Sequence, residues 1–379
     1  MKKLAAVSLT FIFAISLWGC SSKNPTSTQS SDGTSNVPSA APSFHVEITP
    51  LYLPTIDTST YRLVVMDSDG TRILYSLNRS EITHDQMHGY FITDQVVLYD
   101  AAAGQPLQTW IPETPGYYYA GAIGQDNTAV LAGELDYTNT APQKNGVYLF
   151  GNYQKQILSP VPDVNYFHRL ADGSVIFSFA DQQRNTGVCQ VKDGNCNEIL
   201  VMATDEGSIP YAGVISSHKL SFSLVMNQNG LLTLSTADTS GVQLQHTLEY
   251  EAEKLDSCCL TESGLLACLS VNEGTTSAYR SLVLYNEEGK ELQLRISADS
   301  PLYRMCFGHT AGIAVNNQYQ LHLIGIAEDH VACTALQSIS DQLEEYDKSV
   351  VFTFSTGDGR NVLYFRNAHK LFLLDVRYE

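Results

Sequence analysis

The stretch Ser281–Leu294, SLVLYNEEGKELQL, reads as an apolar strand, an Asn-Glu-Glu-Gly turn and a second strand. The same pattern returns at Leu63–Leu74, Val96–Gln108, Val147–Leu158, Val188–Leu200, Leu231–Leu244, Leu321–Leu336 and Val362–Leu374. Another apolar run precedes most of these hairpins. Its second residues are Phe91, Ala129, Val175, Leu220, Leu265, Gly312 and Val350, spaced 38 to 47 residues apart. No long segment carries a helical period; apolar residues alternate or cluster in short runs ending at Gly, Asn or Asp.

A spacing of about 43 residues with four strands per unit is what the blades of a β-propeller require. One such sheet cannot cover both of its faces. Packing several around an axis buries those faces and leaves only short edges. The fold class expected is therefore all-β, a β-propeller over residues 44–379. Eight hairpin copies predict eight blades. The alternative is seven, with residues 44–80 supplying edge strands or an N-terminal ribbon.

The first residues carry an address. Lys2 and Lys3 precede an apolar run from Leu4 to Trp18, and Gly19-Cys20-Ser21-Ser22 follow. A run of about 15 residues is shorter than the roughly 20 that span a bilayer, so it reads as a secretion signal. Leu17-Trp18-Gly19-Cys20 resembles the lipobox of bacterial lipoproteins. That resemblance implies cleavage after residue 19 and lipidation of Cys20. Ser21–Ser43 is rich in Ser, Thr and Pro with almost nothing to bury, which predicts a disordered tether on the order of 25–30 Å long. The expected organisation is a signal peptide over 1–19, a lipidated linker over 20–43 and a propeller over 44–379. The expected location is the bacterial cell membrane, lipid-anchored and facing outside the cytoplasm.

Taken together, the chain resembles bacterial propeller lipoproteins of the quinoprotein-like and WD40-like kind. The likeness is one of architecture: the Trp-Asp signature, kelch Gly-Gly pairs and quinoprotein Trp-docking motifs are missing. Forty acidic residues against 22 basic ones give a net charge of −18, which argues against nucleic-acid binding.

Chemistry-bearing motifs are few. There is no Gly-x-Ser-x-Gly elbow, P-loop, His-Glu-x-x-His or Cys-x-x-Cys, so neither a catalytic residue nor a metal site nor a cofactor is expected. His84 and His88 alternate along an extended segment and read as a surface pair. Asp67-Ser68-Asp69-Gly70, Asp193-Gly194 and Asp358-Gly359 read as hairpin turns rather than calcium loops. Cys189 and Cys196 flank the turn Lys192–Asn195 and are a disulfide candidate. Cys259 and Cys306, one repeat apart, read as packing residues in adjacent blades.

The candidate site is aromatic. Tyr166, Tyr211 and Tyr303 each stand nine residues before their blade's anchor, and Tyr119 stands ten before its own. In a propeller that place lies on the innermost strand near the mouth of the central channel. Polar residues accompany them: His168, Arg169, Asp256 and Arg304. Tyrosine offers a flat apolar face with a polar tip, suited to peptide or sugar. The same placement also suits packing of blade against blade. The function expected is a non-catalytic binding or scaffold module for an envelope protein, a peptide or a glycan. Two alternatives stay open: a glycan- or peptide-acting enzyme on the same scaffold, and an envelope-assembly lipoprotein.

Overall fold

The runs of five to seven apolar residues form strands whose two faces serve different neighbours. The computed structural model describes residues 43–379 apart from short stretches, the longest being 136–143, 213–219 and 337–350; side chains from 199 to 254 also lie outside the described residues. Along Arg72–Ile82, Ile73 and Tyr75 face one interface while Leu74 faces the other. Along Ala311–Asn316, Ile313 and Ala314 divide in the same way. A strand buried on both sides needs apolar residues at consecutive positions, which explains why strict alternation is rare here. Each fully buried Leu, Ile or Phe contributes roughly 1.5–3 kcal/mol, so these interfaces supply most of the driving force.

Among the described residues the chain forms seven four-stranded antiparallel sheets. Blade 1 comprises Arg62–Ser68, Arg72–Ile82, Gly89–Asp100 and Gln105–Trp110. The inner strands of blades 2 to 7 are Gly116–Ile123, Asp163–Arg169, Ile209–Ala212, Leu255–Thr261, Leu302–Phe307 and Val351–Ser355. Inner strands of blades 1 and 2, 2 and 3, 5 and 6, and 6 and 7 touch one another along the axis. The fold is a β-propeller.

The expectation of eight blades is corrected by this topology. Leu63–Leu74 and Val96–Gln108 were two copies of the hairpin pattern, yet both lie in blade 1. The turn Asp69-Gly70 joins its first two strands, and Asp100–Gly104 joins its last two. Inner and outer hairpins share one turn chemistry, so counting hairpins overcounts blades.

Nor does the N-terminal strand found a blade. Phe44–Leu51 pairs with Lys370–Tyr378 in full register from Phe44↔Tyr378 to Leu51↔Leu371. It becomes the outermost strand of blade 7, with Phe44, Val46 and Ile48 turned into the cluster shared by blades 6 and 7. Leu63, Val65 and Ile73 of blade 1 meet Val362, Tyr364 and Leu373 of blade 7 in one cluster, which closes the ring. Ser43 and Glu379 exchange backbone hydrogen bonds of 2.7 and 3.2 Å. Both ends of the folded body therefore leave from one face.

Strand direction defines two faces. Inner strands begin at the leading face, and their first turns lie at the trailing face together with Ser43 and Glu379.

Candidate functional site

A single irregularity recurs along the channel. In six inner strands the pairing with the second strand slips, between Val65 and Asp67, Tyr118 and Ala120, Asn165 and Phe167, Pro210 and Ala212, Leu255 and Ser257, and Tyr303 and Cys306. The extra residues are Met66, Tyr119, Tyr166, Tyr211 and Asp256, with Arg304 and Met305 in blade 6. A bulge leaves its extra residue out of the ladder and re-aims that side chain. Five of the eight residues singled out from the sequence thus occupy one repeated place. Arg304 adopts a left-handed φ of 48°, unusual for a residue other than glycine.

What the bulge residues touch differs. Met66 is buried between blades 1 and 2, and Tyr119 packs against the cluster of blades 2 and 3 while lying 6.0 Å from the ring of Tyr117. These two serve blade packing. Asp256 is ion-paired with Arg280 at 2.6 Å and sits beside the Ser270 hydroxyl. Burial pushes its carboxyl up, and the Arg280 charge opposes that shift. Tyr303, the last paired residue before its bulge, is 37% exposed. The side chains of Tyr166 and Tyr211 lie outside the described residues.

His168 and Arg169 stand at the trailing end of their strand, not at its start. A strand advances about 3.3 Å per residue, so two or three positions beyond the bulge carry them toward the opposite face. There His168 Nδ1 lies 3.5 Å from Ser355 Oγ of blade 7. Arg169 Nη1 donates to Asp69 Oδ2 of blade 1 at 2.9 Å. Asp69 also accepts from Arg72, whose Nη1 reaches Asn127 of blade 2 at 2.8 Å. The carboxyl of Asp67 is buried and accepts from the backbone N–H groups of Ser68 and Ile123, each at 2.8 Å. Burial raises Asp67, with the Arg169 charge acting against it. Burial would raise Asp69 too, but hydrogen bonds from the Arg72 and Thr71 backbone and the two guanidinium groups outweigh it. Its carboxyl is held well below the ordinary range. The trailing end of the channel is thereby tied across blades 1, 2, 3 and 7.

The leading end is built differently. Arg62 opens the inner strand of blade 1, Tyr117 lies at the head of blade 2's, and Phe352 at the head of blade 7's. Arg366 follows the second strand of blade 7. The Arg62 guanidinium stands 4.9 Å from the Phe91 ring centre. Arg304 and Arg366 stand 5.1 and 5.7 Å from the ring centre of Phe352. Burial lowers Arg366, and the nearby charges of Arg62 and Arg304 lower it further. Three guanidinium groups thus crowd one mouth of an acidic protein. Among the described residues, neither Arg62 nor Arg366 has a carboxylate within ion-pair distance. Beneath them Tyr364 is 0% exposed, and its hydroxyl has no hydrogen-bond partner. Burial pushes that phenol up to about 12, although Arg366 and Arg62 pull it the other way.

Sequence reasoning missed this arginine and aromatic mouth. The available signal was Arg62: recognising Arg62–Ser68 as an inner strand, rather than as the first half of a separate hairpin, would have brought it to the channel.

Cys189 and Cys196 come together as thiols across adjacent strands, with Val191 opposite Cys196 and Cys189 opposite Glu198. Their hydrogen bond raises Cys189, whose burial adds to the shift, and lowers Cys196. Cys259 and Cys306 are buried on the inner strands of blades 5 and 6, and burial raises both. No cluster of metal-binding side chains occurs among the described residues. Gly70, Gly194 and Gly359 have φ of 84°, 74° and 82°, so the Asp-Gly pairs are turns. Cys20, His84 and His88 lie outside the described residues.

No family model and no curated protein matches this sequence. Solved structures do. Selenomethionine-substituted virginiamycin B lyase from Staphylococcus aureus superposes with a TM-score of 0.51 at 11% identity, covering 88% of this chain and 99% of that one. A chain of a mitotic checkpoint complex gives 0.50 at 12% identity, covering 96% and 98%. At such identities the likeness is one of fold.

Proposed function

We propose that this protein is a membrane-tethered, extracytoplasmic binding module without catalytic activity, and that its ligand enters at the leading mouth. The observation that carries this reading is the contrast between the channel's two ends. One is tied across blades by Arg169, Asp69 and Arg72, while the other presents guanidinium groups over aromatic rings, with an exposed Tyr303 on a neighbouring inner strand. A few convergent polar groups set among aromatic rings are the usual composition of a binding site. Lipidation of Cys20 would hold the body at the membrane surface.

The test is solution binding to peptide and glycan libraries by the purified soluble body. Replacing Phe352 with alanine should abolish the strongest hits while Tyr303→Ala weakens them, with circular dichroism unchanged in both. Hits equally strong in both variants would place the ligand elsewhere.

A further inference from the structure

At two rings of the mouth a stacking face is already occupied, and this says what kind of ligand it takes. A sugar ring bound on an aromatic platform needs the bare face of that platform. Here Arg62 covers Phe91, and Arg304 and Arg366 share Phe352. Stacking of this kind uses the face of a guanidinium, and for Arg62 and Arg366 it leaves the edge N–H donors, a fork that matches a carboxylate. The orphaned hydroxyl of Tyr364 adds another donor beside the same two arginines. A buried polar atom without a partner is rare enough to require a reason.

We propose that the leading mouth takes the carboxylate of an acidic peptide segment, gripped by Arg62 and Arg366 with Tyr364 donating from below. The proposal rests on the binding reading above and names the ligand class for that same site. Electrostatics sharpen it. The chain carries a net charge of −18, so its bulk surface repels polyanions, and an anion approaching this protein is favoured only at a local cationic mouth. Two arginines not ion-paired to any described carboxylate are the place where that sign reverses. Peptide is favoured over glycan because Phe91 and Phe352 each carry a guanidinium on a face where a sugar would stack.

The test uses the full folded body and four probes of matched length: oligo-L-glutamate, oligo-L-glutamine, oligogalacturonate and a neutral glucan. Oligo-L-glutamate should bind by calorimetry at low salt and weaken as salt rises, while the two neutral probes do not bind. Arg62→Ala and Arg366→Ala should each cost about ten- to a hundredfold in affinity, the scale of one charge-assisted hydrogen-bonded contact. Arg366→Lys should recover little, since an ammonium lacks the fork. Tyr364→Phe, which removes only the hydroxyl, should weaken binding with melting unchanged or raised. Binding of oligogalacturonate without oligo-L-glutamate would overturn the peptide assignment. Glutamate binding that survives both arginine substitutions would overturn the site. If neither anion binds but library ligands still depend on Phe352, the acidic-peptide inference fails while the binding reading stands.

Discussion

Arg169 Nη1 reaches Asp69 Oδ2 across 2.9 Å, joining blade 3 to blade 1 underneath the blade that separates them. Both side chains are nearly buried, at 12% and 9% exposure. Removing one partner of a buried pair leaves the other charge uncompensated. Arg169→Ala should therefore cost about 3–5 kcal/mol in urea denaturation at neutral pH.

The pair also sets an acid dependence. The folded pKa of Asp69 is depressed, so its stabilising contribution is present above the unfolded value of about 4 and is lost as pH falls through the folded value. Asp67 has the opposite sign. Its raised pKa favours folding below about pH 4, and that contribution is lost as pH rises through the folded value. Without Arg169, Asp69 rises toward normal and Asp67 rises further. Urea midpoints measured from pH 3 to 7 should fall with acid in the native protein and fall less, or rise, in Arg169→Ala. An equally steep acid loss in both would remove the pair from the explanation.

Two glycines should fail for different reasons. A Cβ on Gly308 would lie 1.7 Å from the carbonyl oxygen of Gly359, where the first turns of blades 6 and 7 meet. Backbone cannot rotate aside as a side chain can, so Gly308→Ala should cost about 1–3 kcal/mol or more. Gly104 has open space, its nearest neighbour being Tyr99 Oη at 3.8 Å, but a φ of +69°. Gly104→Ala should cost only about 1 kcal/mol, the penalty of a left-handed residue. Thermal melts of the two variants side by side give the ranking.

Oxidation should join Cys189 to Cys196. The thiols already contact each other across neighbouring strands, and burial leaves the inner-strand cysteines Cys259 and Cys306 inert. Mild oxidant should remove two titratable thiols from the native protein and none from Cys196→Ser. Closing so short a loop should stabilise by about 2–3 kcal/mol in the chain-entropy account. Loss of thiols from Cys196→Ser at the same rate would assign the reactivity to another pair.

Deleting residues up to Leu51 should open the ring. The cut exposes the edge of Lys370–Tyr378 and uncovers Leu374 and Val376, which Phe44, Val46 and Ile48 help to cover. The truncated protein should bind a hydrophobic dye and aggregate, whereas the same strand supplied as a peptide should restore monomer. A truncated chain that stays monomeric and melts normally would show that the strand is dispensable.

The period and the strand class were legible because each blade repeats one burial pattern, and burial leaves its mark on every inner position. Ala129, Val175, Leu265 and Gly312 all fall on second strands as the spacing required. The count was less legible. Turns such as Asp69-Gly70 and Asp100–Gly104 mark local chain reversal and carry no information about which hairpin of a sheet they close, so blade 1 was read twice. The bulge was half legible: the spacing picked out Tyr119, Tyr166 and Tyr211, and Asp256 and Arg304 stood out as their polar neighbours, but the directions of these side chains depend on backbone register. The leading mouth was not legible, since Arg62, Phe91, Phe352 and Arg366 come from both ends of the chain and meet only when the ring closes.

The hydrogen-bonded pair Ser43 and Glu379 gives the disc a back and a front. Whatever is fused to either end, whether an affinity tag, a bead or the stretch ahead of Ser43, departs from the rear. A sensor chip loaded through either terminus would present the guanidinium-rimmed opening outward.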